Sequence, residues 1–248
     1  MGLAFLARDD PPVGTLLQLA LGMLCFQFAI GVANDIVDRA DDALAKPWKP
    51  LAAGVVAVGV AKGLAVALVG AGLVITVALP TGAWLVGAAG LACGLSYDLW
   101  LKRTPLSWLP MAIAFPLIPA WVYLSLDRWT AFLWWAFPVG LLLGAAVHLA
   151  NQLPDIAADA NAGSESSAVR AGARRTAGMA FGLFAAALTL ATGVLLAVDP
   201  GRAVLVAATG AIGGLIGVRA IRLFGRDGLF GVFAVTGAAA ALVFLSAA

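Results

Sequence analysis

The chain has 248 residues, of which 62% are hydrophobic and 11% charged, with a formal net charge of +2. So few charges, against about 25% in soluble domains, exclude a water-soluble fold of this size. The small net charge, with its positive residues set between apolar runs rather than in a tract, excludes a nucleic-acid partner, and the single histidine, His148, excludes a histidine-based zinc cluster. Cys25 and Cys93 lie inside apolar runs with no CxxC spacing and say nothing of redox compartment.

A hydrocarbon core about 30 Å thick needs about 20 apolar residues per helix. Runs near 12–34, 56–79, 82–101, 106–126, 130–154, 177–198, 202–223 and 228–247 predict eight spans. The fold class is therefore an all-α integral membrane protein, a bundle of about eight transmembrane helices. The run at 12–34 is longer than the apolar core of a signal peptide and no A-x-A-like site follows it, which predicts a permanent helix. It ends in the polar segment Asn34-Asp35-Ile36-Val37-Asp38-Arg39-Ala40-Asp41-Asp42. The third span ends in Tyr97-Asp98-Leu99-Trp100-Leu101-Lys102-Arg103, and the fifth in Asn151-Gln152-Leu153-Pro154-Asp155-Ile156-Ala157-Ala158-Asp159.

Lysine and arginine fix the expected orientation. With the N-terminus outside, the inward segments carry Arg39, Lys46, Lys49, Lys102, Arg103, Arg170, Arg174, Arg175, Arg219, Arg222 and Arg226, and the outward ones only Arg8, Arg128 and Arg202. Lys62, near the start of the second span, does not alter that balance. The expectation is a multi-pass protein of the cell membrane with both termini outside and its polar chemistry near the cytoplasmic face.

Two of the polar segments share one pattern, N-x-x-x-D-x-x-x-D, offset by 117 residues at all three positions, and the same offset carries Lys102 onto Arg219. This predicts one domain over 1–248 built from similarly oriented halves, 1–127 and 128–248. Spacing by four puts Asn34, Asp38 and Asp42 on one helix face, and likewise Asn151, Asp155 and Asp159. Two carboxylates about 4 Å apart repel by about 4 kcal/mol at an effective dielectric near 20. Each one placed within the membrane costs roughly 2.5–3.5 kcal/mol more. A divalent cation answers both costs, and an oxygen-only donor set suits Mg2+, which completes its shell with waters and phosphate oxygens.

At these residues the chain resembles the UbiA superfamily of intramembrane prenyltransferases. The family's N-D-x-x-D-x-x-x-D motif reads Asn34, Asp35, Asp38 and Asp42, followed by Lys49-Pro50-Leu51-Ala52-Ala53-Gly54 for its basic residue and P-L-x-x-G. Its second D-x-x-x-D reads Asp155 and Asp159, preceded by Asn151 and followed by Gly163. Its Tyr followed by Lys-Arg reads Tyr97, Lys102 and Arg103, in a form similar to haem O synthases.

The resemblance and the repeated carboxylate sets imply that the bundle surrounds a central cavity. The resemblance implies that Asn34, Asp38, Asp42, Asp155 and Asp159 hold Mg2+. Asn34, Lys49, Lys102, Arg103 and Asn151 would bind a prenyl diphosphate, and Asp35, Tyr97, Lys102 and Arg103 would serve catalysis. The implied reaction moves an isoprenyl group to a lipophilic or aromatic acceptor, with membrane lipid around the bundle. A cyclase of the same superfamily, acting on the diphosphate alone, is the alternative reading. A phosphatidyl-group transferase is disfavoured by the absence of D-G-x-x-A-R, and a transporter by carboxylates at helix ends rather than the midplane. The family usually has nine helices with its first motif ending the second, so the family's first helix is expected to be missing here. The segment from Glu165 to Gly172 also departs from the family pattern.

Overall fold

The computed structural model describes residues 2–224 and 228–248, apart from the side chains of 222–224. Arg226 therefore lies outside the described residues, as does the side chain of Arg222. The regular elements among the described residues are helical. They are α1 (Gly2–Ala7), α2 (Val13–Val37), α3 (Arg39–Ala45), α4 (Val58–Thr76), α5 (Thr81–Ser96), α6 (Leu109–Ser125), α7 (Ala136–Gln152), α8 (Ile156–Asn161), α9 (Ser167–Ala171), α10 (Ala173–Leu196), α11 (Pro200–Phe224) and α12 (Gly228–Leu245). A widened π turn, Tyr97–Leu101, extends α5, and a short tight turn, Ala131–Trp135, leads into α7.

Seven of these helices are long and apolar enough to cross a membrane. The eighth, α6, has 17 residues and carries Pro116 and Pro119 in its interior. Each of those prolines removes one backbone donor and crowds the preceding turn. The eight apolar runs thus correspond to α2, α4, α5, α6, α7, α10, α11 and α12. The short α1, packed against α6 and α12, was not expected. Helices of this kind satisfy their backbone polar groups internally, which is why a membrane admits them. Large apolar side chains such as Phe28, Val66, Val74, Leu215 and Val235 point outward, a surface suited to lipid and not to water.

Two apolar clusters form the interior. One gathers Leu19, Phe26, Ala29, Leu79, Ala83, Leu91 and Trp121 from α2, α5, α6 and the turn before α5. The other is larger, runs through α7, α10 and α12, and includes stacked Phe184 and Phe233 with ring centroids 4.1 Å apart. The seam between them is the contact of α6 with α7, and it depends on glycine. A Cβ on Gly144 would stand 2.6 Å from the backbone oxygen of Met111. Small residues at such crossings let membrane helices approach closely.

The architecture places three helix ends together. α2, α5 and α7 all run toward the same end of the bundle, where their polar termini meet. At the opposite end the Tyr123 hydroxyl, near the end of α6, donates to the Leu245 carbonyl at the end of α12 at 2.8 Å.

The glycine seam yields a test. Gly144→Ala forces a methyl against a backbone carbonyl and is expected to destabilise by about 1–3 kcal/mol. Gly231→Ala, with nothing within 4 Å of its new methyl, should stay within about 0.5 kcal/mol. The apparent melting temperature in detergent measures both.

Candidate functional site

The first polar segment straddles a joint. α2 ends at Val37, Asp38 sits at φ −83° and ψ 2°, and α3 begins at Arg39. Backbone bonds from Asp38 N to Asn34 O at 2.9 Å and from Asp42 N to Asp38 O at 2.8 Å carry the four-residue pattern across the joint. Asn34, Asp38 and Asp42 therefore stay on one side, as their spacing requires. The second segment behaves differently. Pro154 has no N–H, and the chain leaves α7 in a tight turn, with Asp155 N bonded to Gln152 O at 3.2 Å. The regular helical face expected over Asn151, Asp155 and Asp159 is interrupted there, and resumes only from Asp155 to Asp159, where N···O is 2.8 Å.

Lysines meet the first set of carboxylates. After α3 the chain turns tightly, with Val55 and Val56 N–H both bonded to the Pro50 carbonyl at 2.9 and 3.2 Å. Gly54 sits in this turn at φ +73°, a left-handed conformation that favours glycine. Lys49 Nζ thereby reaches both Asp35 Oδ1 at 2.8 Å and Asp42 Oδ2 at 2.7 Å. Burial alone would lower the Lys49 pKa, but its hydrogen bonds to Asp35 and Asp42 and their charges outweigh it and hold the ammonium above the ordinary lysine value. The Asp42 side chain is 7% exposed, so loss of its lysine would strand a buried charge. Because the Lys49 side chain is 26% exposed, that loss costs less than breaking a fully buried pair, which costs about 3–5 kcal/mol. Arg103 pairs with Asp41 where both are half-exposed, a contact worth at most about 1 kcal/mol.

The end of α5 supplies the next contacts. Asn34 Nδ2 donates to Asp98 Oδ1 at 3.0 Å, and Lys102 pairs with Asp38. Both pairs have the same sequence separation of 64, one helical turn apart, which is the register of two parallel helices. The π turn carries this edge: Lys102 N bonds Tyr97 O at 2.8 Å, a five-residue step. Such widened turns are frequent at functional sites.

The second set joins from α8. Burial and then the neighbouring Asp155 raise the Asp159 carboxyl, Lys102 and Arg103 act against that, and Asp38 adds to the rise. The two aspartate motifs thus share one electrostatic environment, at one end of the bundle. Tyr97 stands between them, its ring edge-on to His148 at 5.5 Å. Asn151 lies exposed nearby, and Arg219 is exposed on α11.

Sequence reasoning left a buried polar layer unassigned. His148 Nε2 meets Ser107 Oγ at 3.4 Å, Ser107 Oγ meets Ser167 Oγ at 3.0 Å, and Glu165 N donates to Arg103 O at 3.0 Å. These bonds tie the loop holding Lys102 and Arg103 to the segment after Asp159. Asp98 was also passed over, although a carboxylate closing an apolar run was visible. Beneath this layer, an apolar cavity of about 370 Å3 runs from Val147 to Leu245 between α6, α7 and α12. A second, of about 80 Å3, lies between α2, α5 and α6, with Gln27 on its wall.

Comparison with known proteins places this arrangement. The model of the UbiA prenyltransferase family matches residues 1–229. The chain belongs to this family. A UbiA homologue from Archaeoglobus fulgidus superposes with a TM-score of 0.80 at 18% identity, over 99% of this chain and 90% of that one. A UbiA homologue from Aeropyrum pernix K1 gives 0.72 at 23% identity, over 95% and 92%. A structure described for digeranylgeranylglyceryl phosphate synthase gives 0.75 at 15%, over 99% and 89%. At these identities the likeness shows the fold. No curated protein matches the sequence.

A buried carboxyl with a raised pKa makes a prediction for this UbiA protein. Raised in the fold, the Asp159 carboxyl disfavours folding while ionised and ceases to as pH falls through its folded value toward about 3.9. In chelator, Asp159→Asn should melt at or above the wild type at neutral pH, and the difference should close in acid. Thermal unfolding at the two pH values measures it.

Proposed function

We propose that this protein is a Mg2+-dependent intramembrane prenyltransferase, acting as a single unit on a prenyl diphosphate donor and a lipophilic acceptor. The observation carrying this reading is the meeting of the two aspartate motifs with Lys49, Lys102 and Arg103 at one end of an apolar bundle. The Archaeoglobus homologue supports it, having been solved with GPP and Mg2+ and with DMAPP and Mg2+. Eleven inward basic residues against three outward ones support a cytoplasmic side for that end and an outward side for both termini.

The donor set fits the metal by its chemistry. No three His, Cys, Asp or Glu side chains among the described residues converge on one point, and the lysines explain why. With Lys49 between Asp35 and Asp42 and Lys102 on Asp38, ammonium groups supply the positive charge that the carboxylates require. Asp38, Asp42, Asp155 and Asp159, with the Asn34 carbonyl, are hard oxygen donors of the kind Mg2+ takes. Bound there, Mg2+ would supply charge stabilisation to a departing diphosphate.

The remaining work falls to side chains. Lys102, Arg103 and Lys49 turn from aspartate to phosphate oxygens, neutralising the charge that gathers as the allylic carbon–oxygen bond breaks. Asn151, exposed at the end of α7, offers its amide to the same oxygens. Asp35 keeps hold of Lys49 as that lysine exchanges Asp42 for the diphosphate, and so steadies its new position. Tyr97, set between the motifs, presents its ring to the developing carbocation. The apolar cavity starting at Val147 receives the isoprenyl chain and excludes water from the cation. The acceptor nucleophile takes the carbon and releases a proton.

Two outcomes follow. Ala at Asp38, Asp42, Asp155 or Asp159 should lower diphosphate release by at least about 100-fold in protein that still folds, and chelation should do the same to the wild type. Full turnover in excess chelator contradicts the reading. Lys102→Met should weaken donor use much more than Lys62→Met, whose lysine is exposed on α4. Equal, small effects would reduce Lys102 to a topology signal. Both are read by diphosphate release with a panel of donors, with and without acceptors.

A further inference from the structure

One carboxylate at this end has no role in the reading above. Asp98, in the widened turn after α5, is 5% exposed. Its Oδ1 accepts from Asn34 Nδ2 at 3.0 Å. Its Oδ2 is buried and has no hydrogen-bond partner among the described residues. The charges of Lys102 and Asp38 act on it, and Lys102 is committed to Asp38.

The bond to Asn34 has a geometric consequence. A carboxylate only accepts, so the amide nitrogen of Asn34 must be the atom that faces it. The Asn34 carbonyl oxygen is therefore turned the other way. Asn34 has Asp38 one turn along its own helix, so an oriented carbonyl there adds a neutral oxygen beside the Asp38 carboxylate. Hydrogen bonds behind a ligand fix its orientation in this manner.

Nor does the fold need a charge at position 98. An asparagine there could accept the same bond from Asn34 and would avoid the cost of burying a carboxylate. The π turn sets Asp98 one helical turn deeper than the Lys102–Asp38 pair, below the point where the motifs meet. An unpaired oxygen so placed calls for a donor, and Mg2+ brings donors with it because it retains several waters.

We propose that Asp98 is a positioning residue of the metal–diphosphate site. One oxygen locks the Asn34 amide with its carbonyl toward the metal, and the other accepts a hydrogen bond from a metal-bound water. The inference rests on the prenyltransferase reading and adds a residue that the aspartate motifs do not include.

The test uses Mn2+ as the metal probe and inorganic diphosphate as the anion, with free Mn2+ followed by electron paramagnetic resonance on the full-length protein in detergent. Asp98→Asn preserves shape and the bond from Asn34, but turns an acceptor into a donor that repels the water's hydrogens. It should weaken Mn2+ binding about 10–100-fold, while its melting temperature in chelator equals or exceeds that of the wild type. That split is one a purely structural role would not give. A variant that binds Mn2+ as tightly as the wild type overturns the inference and leaves the prenyltransferase reading standing. A variant that melts well below the wild type assigns Asp98 to the fold and overturns it too. Wild-type protein that binds no Mn2+ with diphosphate overturns both.

Discussion

Carboxylates brought to the edge of a hydrocarbon core must have cations, and the arrangement of this molecule's polar end follows from that requirement. Asp35, Asp38 and Asp42 cannot ionise side by side against lipid without compensation. The fold supplies Lys49 from a glycine-dependent turn and Lys102 from the end of a parallel helix. Both cations are on tethers that the chain itself controls, and both are of a kind that can exchange a carboxylate for a phosphate. In the proposed reaction, the lysines would hold the charge balance until metal and diphosphate take it over.

This balance is asymmetric between the two motifs. The first motif has two ammonium groups in contact with its three aspartates, Lys49 shared by Asp35 and Asp42 and Lys102 on Asp38, whereas Asp159 is opposed by Asp155 and answered only at a distance by Lys102 and Arg103. The uncompensated charge thus lies on the second motif, on a short helix that Pro154 separates from the membrane span. A segment built in this way is stabilised by whatever cation binds it, so ligand binding and local order are coupled. The buried layer of His148, Ser107 and Ser167 limits how far that segment can drift.

Much of this was legible in the sequence. Each of the eight apolar runs became an apolar helix, seven of them long enough to cross a membrane, because length and hydropathy decide a span. Repeated polar segments at span ends pointed to the candidate site, since carboxylates are costly to place there. What the sequence withheld were features set by local backbone chemistry. Pro154 was written in the second motif, yet the even spacing of Asn151, Asp155 and Asp159 hid its effect on the helical face. α1 has only six residues, too few for a periodic signal. Asp98 stood beside Tyr97 in plain view, but its partner is 64 residues away and only the packing of α2 on α5 reveals it. The role of Lys49 as a bridge between Asp35 and Asp42 likewise needed the fold of the turn at Gly54.

The central claim is that the two motifs form one site. A double-mutant cycle on diphosphate affinity tests it, with Asp38→Ala, Asp159→Ala and the pair together, each measured in Mg2+. For a shared site the losses are strongly non-additive, and the double variant binds little worse than the weaker single. Losses that add within about 0.5 kcal/mol, the behaviour of independent positions, would mean two separate sites and would contradict the claim.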